Sequence, residues 1–221
     1  MPDRAFDIDL ALDRIAEAVK PYPPAAMFEL ADAGFDSVFE QVIACLLSVR
    51  TRDEVSVKAA PRLFGLARTP EALAVTPVAD IEAAIRDVTF APRKAEQIQI
   101  IARRTRDDFG GALPCDGEVL QSLPGIGPKC TNLTLGVACG MPVISVDIHV
   151  HRVTNRWGYV RATTPEKTML ALEEVLPERH RIEINRLLVP FGKHICTGER
   201  PRCSTCPVRD MCAQVGVTEH R

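Results

Sequence analysis

Residues 120–139 read L-Q-S-L-P-G-I-G-P-K-C-T-N-L-T-L-G-V-A-C, and the punctuation of this stretch decides the fold. A short apolar helix runs into Leu123-Pro124-Gly125-Ile126-Gly127. Pro128 then opens another helix at its first position, where a missing N–H is no handicap. The two glycines permit a tight turn with φ > 0 and leave backbone N–H groups open. Those donors and the positive end of the following helix suit an anionic phosphate. The stretch is a helix-hairpin-helix signature; a plain turn between two core helices is the blander alternative.

Helical periodicity continues outward in both directions. Ile8, Leu12, Ile15 and Val19 form one apolar stripe, closed by the Pro-Tyr-Pro-Pro break at 21–24. Phe39, Val42, Ile43, Leu46 and Leu47 form a second, more deeply apolar helix. Further helices are predicted over 57–66, 78–88, 94–109, 117–122, 128–139, 148–157, 168–176 and 182–191, with Pro and Gly at nearly every join. Alternation of strand type is scarce, and its best instance, 143–146, is too short to build a sheet. The chain reads as all-α, without internal repeats or low-complexity linkers.

The 221 residues suffice for one or two domains, and 46% hydrophobic with 25% charged residues is globular rather than disordered. Lys and Arg number 27 against 29 Asp and Glu, a formal charge of -2, so any nucleic-acid contact must come from local patches. One Trp, two Tyr and eight Phe are too few for a base-stacking platform of the single-strand-binding kind. No signal-peptide pattern opens the chain. The most apolar stretch, 137–146, is broken by Gly140 and Pro142 and falls short of the roughly 20 residues of a membrane helix. The expectation is a cytoplasmic protein with no membrane association. A reducing compartment disfavours disulfides, so the eight cysteines need explaining. Cys45, Cys115, Cys130 and Cys139 are scattered singly among apolar residues, whereas the other four crowd between 196 and 212.

Two positions near the hairpin carry the elements of chemistry. Lys129 stands in the first turn of a helix, where the dipole disfavours an ammonium and favours the neutral, nucleophilic amine. Simple phosphate contact is the plainer role. Asp147 ends the apolar run 143–146 and precedes a helix, which makes it an N-cap by type. At the mouth of a cleft the same carboxylate could stabilise a cationic sugar or help to move a proton. His149 and His151 lack partners at a catalytic spacing and read as helix-face residues within reach of a phosphate.

Cys196, Cys203, Cys206 and Cys212 follow C-x6-C-x2-C-x5-C. Thiolates this close repel unless a metal neutralises them. Structural zinc usually takes two C-x2–4-C knuckles, and only one such pair is present here. Sequential cysteines also suit the corners of an iron–sulfur cubane, which the spacing favours over zinc, with disulfides third. Arg200 and Arg202 lie between the first two of these cysteines, making a local basic patch suited to phosphate.

The hairpin with its lysine, the V-D-x-H aspartate and the cysteine spacing, in this order, resemble the endonuclease III family of DNA glycosylases over nearly the whole chain. The resemblance implies two all-α lobes with DNA in the cleft between them. A six-helix barrel would span 31–141 and contain the helix-hairpin-helix at about 120–139. Residues 1–30 with 142–221 would form the other lobe and hold a [4Fe-4S] cluster on Cys196, Cys203, Cys206 and Cys212. It further implies a monomer that acts on damaged double-stranded DNA, cytoplasmic or nucleoid-associated in a bacterium. Oxidised pyrimidines would be removed and the abasic site cleaved by β-elimination, with Lys129 forming the Schiff base and Asp147 assisting. DNA contacts would fall to Leu123, Gly125 and Gly127 of the hairpin, to Arg50, Phe90, Arg93 and Lys94, to His149, and to Arg200 and Arg202.

The sequence departs from the family pattern in three places. Arg50 stands where a Gln is common, Phe90 replaces a usually aliphatic wedge, and Ile148 replaces a Thr. Arg has five donors and no acceptor, so an inserted Arg50 should favour guanine over adenine as the orphaned base. Phe90 reads equally as a core aromatic, and Arg93 with Lys94 as a solvated turn. Two other functions remain open. One is a mismatch-specific glycosylase of the same superfamily, against which the lysine and the short tail after Cys212 argue. The other is a non-catalytic helix-hairpin-helix DNA-binding module, which would need neither Lys129 nor Asp147.

Overall fold

Every regular element is helical. The computed structural model describes residues 6–221, and among these lie twelve α-helices, two short 3-10 turns and no strand. Residues 143–146 join no sheet. The chain forms two compact units: the segment through Ala25 with Ile144–Arg221, and Ala26–Val143. No helix of the described residues is long and apolar enough to cross a membrane.

The Ala26–Val143 unit is organised by α3 (Val38–Ser48), in which every residue from Phe39 to Leu47 is buried. A helix that is apolar all round must be surrounded. Accordingly α2 (Ala26–Asp32), α4 (Asp53–Leu66), α7 (Ala91–Asp108) and α9 (Pro128–Cys139) all pack on it. Its start is fixed by a capping box, in which the Ser37 hydroxyl accepts the Glu40 N–H at 3.2 Å and the Glu40 carboxylate accepts the Ser37 N–H at 3.1 Å. The buried Glu40 carboxylate also accepts from Arg68 at 2.6 Å, so its charge is paired. The short helices α5 (Pro70–Val75) and α6 (Val78–Ala84) cover α7, and α8 (Gly117–Gln121) covers α9.

In the other unit α1 (Ile8–Val19) and α10 (Ile148–Trp157) pack on α12 (Glu183–His194), and α11 (Pro165–Val175) packs on α10. Leu12, Ile15, Val150, Trp157, Leu188 and Phe191 share this core. Phe6 stacks on Trp157 with ring centroids 5.0 Å apart.

Periodicity missed two helices, α2 and α5. With seven and six residues neither completes two turns, so no stripe is visible. Helix α5 is instead announced by its cap: Thr69 accepts the Ala72 N–H, and Pro70 takes the first position. Helix α4 also begins earlier than its apolar stripe, at Asp53-Glu54, because acids suit a first turn.

The four scattered cysteines are not single in space. Cys45 pairs with Cys130, with Cα atoms 5.7 Å apart, and Cys115 pairs with Cys139, with Cα atoms 6.0 Å apart. Both ends of α9 are therefore tied: the first turn to α3, and the last residue to the segment before α8. The two disulfides close loops of 85 and 24 residues in sequence separation. Replacing Cys45 and Cys130 together by Ala should lower the unfolding free energy by about 4 kcal/mol, and Cys115 with Cys139 by about 3 kcal/mol. Urea midpoints at unchanged slope would measure this, and equal midpoints for oxidised and reduced protein would show the thiols unbonded.

Candidate active site

The hairpin is built from its caps inward. Asp116 starts α8 by accepting the Glu118 N–H at 2.8 Å and the Val119 N–H at 3.1 Å. After α8 the turn reaches Gly125 at φ +82°, where a side chain would meet Gln97 Nε2 at 2.7 Å and Leu46 Cδ1 at 2.8 Å. Gly127, by contrast, is extended at φ -108° and faces open space, so only one of the two glycines needs the left-handed region. Leu123 is buried, so its side chain anchors the turn to the core. Gly125, Gly127 and Lys129 are exposed, and Lys129 is the second residue of α9. The next residue, Cys130, fastens this turn to α3.

Arg50 and Phe90 are brought together. The Arg50 guanidinium lies over the Phe90 ring at 5.9 Å from its centroid, and Phe90 is 58% exposed, which excludes a core aromatic. Both have left-handed backbones, φ 55° and 61°, a conformation that costs a bulky L-residue on the order of 1–2 kcal/mol. Lys94 does not belong to the exposed basic patch expected for it. It is buried, and its ammonium donates to Leu47 O at 2.9 Å, Val49 O at 2.7 Å and Thr51 Oγ1 at 3.3 Å, so it cannot reach a phosphate. Burial pushes its pKa down to about 8. Arg93, one residue earlier, is exposed.

In the other unit Asp147 is the N-cap of α10. Its Oδ1 accepts the N–H groups of His149 and Val150, each at 2.9 Å. His149 is half-buried against Gly192 of α12, where a Cβ would stand 2.8 Å from the imidazole Nδ1, and the same nitrogen lies 3.1 Å from the Arg152 guanidinium. One edge of its ring therefore packs in the contact between α10 and α12. His151 turns to Thr168, with Nδ1 to Oγ1 at 2.7 Å.

Cys196, Cys203, Cys206 and Cys212 line one small cavity, walled by Trp157, Phe191, Ile195 and Pro201. N–H donors already point at the sulfurs: Arg156 at 3.6 Å from Cys196 Sγ, and the Gln214 amide at 3.4 Å from Cys212 Sγ. Burial pushes the Cys206 thiol up to about 11 and raises Cys203 and Cys212, and the neighbouring thiols raise all three further. Thiols that resist ionising separately suit a group that supplies positive charge to all of them. Among the described residues no three such side chains are gathered closely enough to hold a single ion. A cubane instead takes one ligand at each iron corner, so its sulfurs stand farther apart than the four around one ion. Arg200 and Arg202 are exposed on the rim, Arg200 with φ 40°.

Residues 43–178 match the HhH-GPD superfamily base excision DNA repair protein family. The chain belongs to that superfamily. It is 40% identical over 174 residues to endonuclease III of Thermotoga maritima, covering 79% of this chain and 82% of that one. With Escherichia coli K12 endonuclease III it shares 33% over 181 residues, 82% of this chain and 86% of the other. A solved non-covalent endonuclease III–DNA complex superposes with a TM-score of 0.80 at 29% identity, covering 94% of each chain. A trapped endonuclease III–DNA covalent intermediate gives 0.78 at 28%, again over 94% of each. This HhH-GPD protein is a base excision repair DNA glycosylase/AP lyase and binds DNA. The superfamily match includes the hairpin, Lys129 and Asp147 and ends before the four C-terminal cysteines.

The Thr51–Lys94 bond and the Arg156 contact with Cys196 have no signal in the sequence, because each joins residues some 40 positions apart. The two hairpin glycines should separate in their effects. Gly125→Ala should destabilise the protein by about 2 kcal/mol through positive φ and the clash with Leu46. Gly127→Ala should leave the urea midpoint nearly unchanged but weaken binding to an abasic-site duplex, since a methyl intrudes where a phosphate approaches. Equal losses of stability in both variants would contradict this assignment.

Proposed function

We propose that the protein removes oxidised pyrimidines from double-stranded DNA and cleaves the resulting abasic site through an imine on Lys129. The observation that carries the reading is an exposed amine in the first turn of α9, directly beside the hairpin's open backbone donors. The target nucleotide must first leave the stack, because its sugar carbon is unreachable within the duplex. Arg50 and Phe90, exposed together, are suited to fill the gap. The neutral Lys129 amine then attacks C1′, the C1′–N bond breaks, and the base leaves as its nitrogen is protonated. The sugar ring then opens: the Lys129 nitrogen gives up a proton, the C1′–O4′ bond breaks with O4′ taking a proton, and the C1′=N imine forms. It acidifies the C2′ hydrogen, whose loss expels the 3′ phosphate oxygen, and water finally releases Lys129. In this reading Asp147 supports cationic character at the sugar and accepts or returns protons. Gly125, Gly127, Arg93, Arg200 and Arg202 supply backbone contacts.

Cys196, Cys203, Cys206 and Cys212 would hold a [4Fe-4S] cluster. What supports this is the shared apolar cavity and the N–H donors aimed at two of its sulfurs. The cluster would stabilise the segment that carries Arg200 and Arg202, and the excision steps run on Lys129 and Asp147. Anaerobically purified protein should be brown and contain four irons and four sulfides per chain. Colourless protein with stoichiometric zinc would overturn this assignment.

Borohydride trapping tests the catalytic reading. Wild type with a duplex containing thymine glycol or an abasic site should yield a covalent protein–DNA species. Lys129→Gln should lose that species while keeping its DNA affinity within about threefold, since one phosphate-scale charge is removed. A wild type that forms no adduct would refute the imine.

A further inference from the structure

We propose that Lys94 is a positioning residue for base extrusion: its buried ammonium ties the loop bearing Arg50 to the turn bearing Phe90 and holds the two exposed side chains as one wedge. The inference rests on the reading of Arg50 and Phe90 as the residues that enter the duplex, and deepens it.

Left-handed backbone at a bulky residue persists only where the surroundings over-determine it. Here two such residues face each other, at φ 55° and 61°. The ammonium donates to Val49 O and to Thr51 Oγ1, the two residues that flank Arg50, and to Leu47 O at the end of α3. Thr51 Oγ1 in turn accepts the Thr89 N–H at 3.2 Å, and the Lys94 N–H donates to Phe90 O at 3.0 Å. The ammonium and the Thr51 hydroxyl therefore grip the chain on both sides of Arg50, the same hydroxyl holds the Thr89 N–H just before Phe90, and the backbone of Lys94 holds the Phe90 carbonyl.

Packing alone would not select this residue. Every oxygen the ammonium touches is a carbonyl or a hydroxyl, and a buried charge with no carboxylate is costly. A Met would fill the same volume without that cost. What Met cannot do is gather carbonyls from a loop that would otherwise turn them to water. The ammonium thus sets the direction of the peptides around Arg50, and through Thr51 it sets the spacing to Phe90. The guanidinium–ring distance of 5.9 Å follows from those two constraints.

The test separates positioning from general stability. In single-turnover assays Lys94→Met should slow removal of thymine glycol by about tenfold or more, the scale of one buried hydrogen-bond group left unpaired. Cleavage at a preformed abasic site, where no base has to be extruded, should change by less than about threefold. In an Arg50→Ala/Phe90→Ala background, which has no wedge to position, adding Lys94→Met should slow removal by less than about twofold. Thr51→Val, which removes the shared hydroxyl and is milder, should follow the same pattern if Lys94→Met folds poorly. Equal slowing on both substrates, or the full loss in the wedge-free background, would overturn the proposal. Amide hydrogen exchange decides the clamp without any activity: 48–52 and 87–91 should lose protection in Lys94→Met while α3 keeps it, and unchanged protection there would also overturn the proposal. Absent thymine glycol removal by wild type would instead count against the substrate reading, leaving the exchange result to judge the clamp.

Discussion

Helix α3 can exist only in the middle of something. Its residues 39–47 are buried on every side, so the helices around it are placed by the need to cover it. That requirement also sets the chemistry. Cys45 fixes the first turn of α9, Leu46 lies under the turn at Gly125, and the Leu47 carbonyl receives the Lys94 ammonium. Three consecutive residues of one buried helix thus fix α9 with Lys129, the turn at Gly125 and the loop that carries Arg50. A core substitution here that removes volume would be expected to disturb all three, because packed interiors transmit strain rather than absorb it.

The second unit solves a different problem. Its C-terminal segment joins the core through Ile195 and Val208. Arg152 and Arg156 add polar ties, donating to the carbonyls of Cys196, Thr197 and Gly198. Two guanidiniums on α10 thereby hold the strand of chain that enters the thiol cavity, and the same helix begins with Asp147. The carboxylate and the cysteine segment are held by opposite ends of one ten-residue helix.

Much of this was legible in the sequence, and the boundary of legibility is physical. The hairpin, the caps and the cysteine spacing are local patterns, and each places a residue correctly on its element: Pro128 opens α9, and Asp147 caps α10. Short helices are illegible by periodicity because α2 and α5 lack a full stripe. Side-chain direction is illegible for long polar residues, whose burial depends on partners distant in sequence. Lys94 looked like a solvated charge beside Arg93 because its acceptors lie 43 to 47 residues earlier. The packing of Leu123 into the core and of His149 against Gly192 is illegible for the same reason: a motif fixes the backbone but not what packs against it. The Cys45–Cys130 pair, 85 residues apart, was hidden among apolar neighbours that would suit a free cysteine equally well.

The strain at Arg50 and Phe90 sharpens the distinction between fold and function. Glycine at either position would relieve about 1 kcal/mol of backbone strain and would be the stable choice for a turn. Glycine, however, projects nothing. A residue that must reach outward from a tight turn has to carry a side chain, and in the left-handed region its Cβ crowds the following carbonyl. The fold tolerates the cost twice, at adjacent points on one surface, and holds both with a buried cation that is itself costly to bury. No requirement of the core explains that expense, since Phe90 and Arg50 are both exposed. The arrangement is intelligible as a surface that must keep its shape, and the side chains it presents are one planar cation lying over one exposed ring.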